Sequence, residues 1–284
     1  MNKSTAQGVR YLLGFAPEDA VAGICARLRI DPDGPVAPMA LTDRQFGYDA
    51  MWLLRQAPQA IRIWMLQEDD PQVNAVLFQQ GLLPAGVAAD VRSGLLFGPG
   101  RFAPVPDGPV LSWRSELPRP TVAGLIDSLR GAVGSGTLRV ARAAAGTLRR
   151  ADWPLVVAAH QDEPFPGFAR WALAEQIDCP AELRAAFGSH PRFTHRLRQA
   201  GVLGGPADHL ATVTPADRML GILGLGREAF PTRLAEAEDV LRPQVRRELG
   251  GHPEAWAVLA QLLPDFTGTL PELVDTAAAV AGTP

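Results

Sequence analysis

One arrangement of apolar and polar positions is written three times along the chain. "DDPQVNAVLFQQGLLP" at 69 to 84 returns in outline as "SHPRFTHRLRQAGVLG" at 189 to 204 and as "GHPEAWAVLAQLLP" at 251 to 264. Each copy has an Asp or His, then Pro, an apolar residue two positions on, Leu four after that, and Gln two further. The apolar positions, Val73 with Leu77, Phe193 with Leu197 and Ala255 with Leu259, fall on one stripe of a helix. Pro suits the first helical position, where its missing N–H costs nothing, and Asp70 supplies an N-cap. The spacing therefore predicts equivalent helices over 71 to 80, 191 to 200 and 253 to 263, each burying one side.

The second copy follows the first by 120 positions, about three times the ~40-residue period of two-helix repeats. Diverged copies are then expected in the gaps. "DWPLVVAAHQ" at 152 to 161 is one, because a shift of 38 sets Leu155 on Phe193 and Ala159 on Leu197. Upstream partners recur too: "DAMWLLRQAPQAIRIWM" precedes the first copy and "FARWALAEQIDCPAELRAAF" the second, with Trp52 and Trp171 in matching places. Further helix starts are signalled by Thr42 with Gln45, by Thr214-Pro215 with Asp217, and by Pro180 with Glu182. No stretch alternates as a strand would. The expected fold is all-α, an irregular solenoid-like repeat of paired short helices.

"ALAEQIDCPAELRAAF" followed by "HPRFTHRLRQAG" resembles the α-helical repeat families, HEAT and the bacterial leucine-rich repeat variants, and the likeness extends over residues 40 to 92 and 135 to 264. That resemblance implies a curved stack of helices with an extended concave surface, and no catalytic residue. The stretch at 94 to 120 is dense in Gly and Pro and interrupts the helical pattern. It reads as a lobe boundary, which gives an N-terminal helical lobe at 1 to 97, a connector at 98 to 118, and a helical-repeat lobe at 119 to 284.

Composition adds few constraints. A chain of 284 residues that is 47% hydrophobic and 20% charged has a globular make-up. Two cysteines without CxxC spacing do not make a disulfide framework, and no stretch reaches the ~18 apolar residues of a membrane span, so a soluble cytoplasmic protein is expected. Lys3 is the only lysine against 26 arginines, a bias that reads as the coding signature of a GC-rich bacterial genome. The net charge of −3 exerts no global pull on nucleic acid or anionic lipid.

Candidate chemistry is sparse. Cys179, His190 and His195 are the nearest approach to a metal cluster, but short fixed ligand spacing is absent, so no metal is expected. "GAVGSGT" at 131 to 137 lacks the Lys of a P-loop and a preceding strand, and reads as an interhelical turn; "GILGLG" at 221 to 226 reads as a helix end. His160, Asp162 and Glu163 in "AHQDEP" are the one acid–base grouping, with no nucleophile or oxyanion hole beside them. No catalytic residue or cofactor is therefore assigned.

The strongest local signal is basic. Six arginines stand against Asp127 between 119 and 150, and Arg192, His195 and Arg196 share a helical face opposite Phe193 and Leu197. Arg139, Arg142, Arg149, Arg150, Arg192, His195 and Arg196 are the candidate binding residues. The expected function is a non-enzymatic helical scaffold that binds another protein. The alternative is a helical-repeat protein that holds nucleic acid through its arginine faces.

Overall fold

The computed structural model of the protein describes residues 1–36, 54–98, 119–188, 191–199 and 205–282. They form α-helices joined by short turns, with no strand among the described residues. The first helices are α1 Lys3–Leu13, α2 Glu18–Leu28, α3 Gln59–Gln67, α4 Pro71–Gln79, α5 Ala85–Arg92 and α6 Val122–Arg130. Next come α7 Leu138–Ala145, α8 Trp153–Asp162, α9 Gly167–Ala174, α10 Ala181–Ala186 and α11 Pro191–Gln199. The last are α12 Pro206–Thr212, α13 Ala216–Ala229, α14 Pro231–Glu248, α15 Pro253–Leu262 and α16 Leu270–Ala281. Single 3-10 turns at Ser135–Thr137 and Arg150–Asp152 lead into α7 and α8.

The three related phrases are the helices α4, α11 and α15. Val73, Leu77, Leu197, Ala255 and Leu259 are buried, and Phe193 packs half-buried against the core around Leu197. Asp70 caps α4 through its side chain, accepting from the N–H groups of Gln72 and Val73 at 2.7 and 3.2 Å. His252, in the same slot before α15, makes no side-chain cap. What the three helices share is the apolar stripe and the proline, while the capping differs between α4 and α15.

Two expectations about the intervening sequence need correction. The phrase at 152 to 161 is a helix, but its buried face carries Trp153 and Val156, while Leu155 is 55% exposed. A shift of 38 therefore lays a surface residue on a half-buried one and does not describe a copy of the unit. The glycines of "GILGLG" lie inside α13 rather than ending it. A Cβ on Gly226 would come within 2.6 Å of the Phe230 ring, so the bare backbone there makes room for an aromatic side chain. The expected cap at Thr42 and the tryptophan at 52 lie outside the described residues.

The chain divides into two compact units, one made of residues 1 to 57 with 204 to 284, the other of residues 58 to 203. This differs from the linear division at a connector, whose residues 99 to 118 lie outside the described part. The reason is packing between the chain's two ends: α1 rests on α13, and α2 on α15. In the first unit the paired helices α15 and α16 close a core that includes Trp256, Leu259, Leu273, Val274 and Ala277, all fully buried. Tyr11 anchors α1 there: its ring meets Phe15 edge-on at 5.6 Å and its hydroxyl donates to Glu238 at 3.0 Å. Burial pushes its phenol well above the ordinary range.

In the second unit α3, α4 and α5 pack in succession, and α7 lies against both α6 and α9. The core of that unit runs through Leu125, Leu129, Ala141, Ala145, Trp153, Val156, Leu173 and Leu197. No helix among the described residues is long and apolar enough to cross a membrane. Both cysteines are buried free thiols.

Candidate functional site

The second unit contains a cleft of about 540 Å³, within the size range of small-ligand sites. Its walls follow from the helix ends nearby. α4 stops where Gly81 turns into the left-handed region (φ +64°), and the following turn, 81 to 84, forms one side. α3 supplies Arg62, whose Nη1 donates to the carbonyl of Leu82 at 3.0 Å and so ties that turn back to the helix. Opposite, α7 and the C-terminal end of α9 supply Arg142 and Glu175. These form a two-pronged pair, Arg142 Nε and Nη2 donating to the two carboxylate oxygens at 2.7 and 2.8 Å, with the guanidinium 5.6 Å from the Trp171 ring centre.

The charges of the cleft are not equally matched. Glu175, nearly buried, neutralises Arg142. Among the described residues Arg62 has no carboxylate beside it and its Nε finds no hydrogen-bond partner, and burial lowers its guanidinium from the ordinary range. Gln59 and Gln176 add polar wall, and Gln176 is itself fixed by donating to the Ala172 carbonyl at 3.0 Å.

A second polar cluster in the same unit is structural. Asp152 pairs with Arg119 and accepts from the Arg149 N–H at 2.6 Å, while Asp90 accepts from the Arg150 N–H at 2.7 Å. The Arg150 side chain donates to the Leu96 carbonyl and lies 4.3 Å from the centre of the Phe97 ring. The Trp153 indole donates to Asp178 at 2.9 Å. Burial pushes the Asp178 carboxyl up to about 6, against the pull of the Trp153 hydrogen bond; Asp90 adds to the rise and Arg150 opposes it. Asp90 is raised by burial in the same sense.

Folded Asp178 thus keeps its proton to higher pH than it does in the unfolded chain. Its contribution to stability is complete below about pH 4 and is lost as pH rises through about 6. Urea midpoints should accordingly fall between pH 5 and pH 7.5, and Asp178→Asn, which retains an acceptor for Trp153, should reduce that fall. Parallel profiles for the two proteins would assign the pH response to other groups.

The residues singled out by sequence have varied fates. Arg142 belongs to the cleft, but engaged with Glu175. Arg149 and Arg150 take part in the buried stitch around Asp90 and Asp152. Arg139 is exposed on α7, and Arg192 and His195 are exposed on α11. The side chain of Arg196, like residue 190, is outside the described part. The acid–base grouping is dispersed. His160 Nδ1 accepts from the Phe165 N–H at 3.0 Å, with its ring between Phe165 and Phe187, while exposed Asp162 and Glu163 lie 3.9 and 3.3 Å from Arg130. Cys179 is buried, its thiol pushed up to about 12. No group of three or more potential metal ligands occurs among the described residues.

Sequence reasoning missed Arg62 and Glu175. A signal existed for Arg62, the one charged residue in the otherwise apolar run "AIRIWML". Glu175 ends an apolar helix and gives no comparable sign until α7 is laid beside it. No family model, curated protein or solved structure matches the chain.

Proposed function

We propose that this protein is a non-enzymatic helical scaffold, of the helix-pair repeat type, that binds another protein. One observation carries the reading: across the stretch richest in arginine, four of the six arginines are engaged inside the unit while aliphatic side chains face out. Arg119, Arg130, Arg142 and Arg150 are tied to Asp152, Glu163, Glu175 and the Leu96 carbonyl. Val133, Val140 and Leu155, from the same stretch, are 77%, 55% and 55% exposed. A nucleic-acid face needs the reverse, since phosphate contacts by accessible Lys and Arg supply most of its affinity. Large apolar side chains at the surface suit a protein partner.

The test is fluorescence anisotropy with labelled single- and double-stranded oligonucleotides over a salt series. Binding at ~0.15 M salt should be weaker than about 10 μM and unchanged in the double variant Arg139→Gln/Arg192→Gln. Submicromolar binding at that salt, lost in the double variant and declining with a log–log slope of roughly −0.7 to −0.9 per phosphate contact, would reverse the assignment in favour of nucleic acid.

A further inference from the structure

We infer that the cleft between α3, the 81 to 84 turn, α7 and the end of α9 is a binding site for a monoanionic carboxylate bearing an apolar tail, seated on the Arg62 guanidinium. A guanidinium withdrawn from water is costly unless an anion or full hydrogen bonding compensates it. Arg62 is half-buried and lines the cleft, yet its single partner among the described residues is the neutral Leu82 carbonyl. Among the described residues Nη2 has no acceptor and Nη1 has only that carbonyl. A guanidinium with hydrogens to spare grips a carboxylate through two parallel hydrogen bonds.

The neighbours select the kind of anion. Arg142 is already neutralised by Glu175, so the guanidiniums and carboxylate lining the cleft leave one formal positive charge, that of Arg62. A singly charged carboxylate balances it. A dianionic phosphate would leave excess negative charge close to Glu175. Leu83, Pro84 and Ile177 offer apolar wall beyond the charged groups, suited to a short alkyl tail or an aliphatic side chain. At about 540 Å³ the cleft admits a small organic acid or the C-terminal residues of a peptide. The two sources share the same head group. The inference stands independently of the scaffold reading, which concerns the exposed surface over 133 to 155.

The experiment uses the full chain and five probes followed by isothermal calorimetry at low ionic strength: hexanoate, its neutral counterpart hexanamide, inorganic phosphate, and an Ala-Val-Leu peptide with a free and with an amidated C-terminus. Hexanoate or the free-ended peptide should bind saturably with Kd of about 1 mM or tighter, and at least tenfold more tightly than hexanamide, the amidated peptide and phosphate. Arg62→Met should weaken that binding at least tenfold, while Arg139→Gln, at an exposed arginine outside the cleft, should leave it unchanged. Tighter binding of hexanoate identifies a small acid as the natural class, and tighter binding of the peptide a chain end. Failure of both, equal binding of the neutral probes, tighter binding of phosphate, or undiminished binding by folded Arg62→Met overturns the proposal. The charged-against-neutral comparison decides the matter even where Arg62→Met does not fold.

Discussion

Leu197→Ala should destabilise the second unit by about 2 to 5 kcal/mol, the sum of lost transfer energy and the cavity left behind. Leu197 is 2% exposed and belongs to the cluster that includes Leu183, Phe187 and Leu173, so its removal opens space that neighbouring helices can only partly refill. The same short helix provides the control. His195, two positions away, is exposed, and His195→Ala should change stability by no more than about 0.5 kcal/mol. Urea denaturation followed by far-UV circular dichroism measures both. Equal losses would show that α11 does not bury the face assigned to it, and would remove the basis for relating α11 to α4 and α15.

Gly86→Ala should cost about 3 kcal/mol, at the upper end of the usual penalty for overpacking. Gly86 lies in the first turn of α5, and its N–H donates to the Gly146 carbonyl at 2.9 Å. A Cβ there would stand 1.7 Å from the carbonyl oxygen of Leu148 and 2.4 Å from its carbonyl carbon. Both atoms are backbone, so no side-chain rotation relieves the overlap and α5 must separate from the 146 to 148 turn. Gly167, at the start of α9, has nothing within 4 Å of the same position. Gly167→Ala should therefore be neutral or stabilising by a few tenths to about 1 kcal/mol, through reduced freedom of the unfolded chain. Comparable denaturation midpoints for the two variants would refute the close approach. Gly86 bonds to Gly146, which lines the cleft, so Gly86→Ala should also weaken the binding of any ligand held there.

The sequence by itself determined the all-helical class and, for α4, α11 and α15, which side faces inward. Val73 with Leu77 and Ala255 with Leu259 announce their burial through spacing alone, and Asp70-Pro71 announces a capped start, because periodicity and capping depend on residues within one or two turns of each other. The same local logic misplaced the buried face of α8, where Trp153 and Val156 outcompete Leu155 for the core, and the glycines of α13, whose use is to admit Phe230. The tertiary structure alone decided what the charged residues do. Arg142 meets Glu175 across 33 positions, and the Arg150 N–H meets Asp90 across 60. Arg62 stands out in sequence as a lone charge in an apolar run, but its lack of an acid among the described residues emerges only once the turn at 81 to 84 packs beside it. The pairing of residues 1 to 57 with 204 to 284 is of the same kind. Helical periodicity is set by bonds four residues long, whereas the partner of a guanidinium depends on which distant segments the apolar core brings together, and that information is spread over the whole chain.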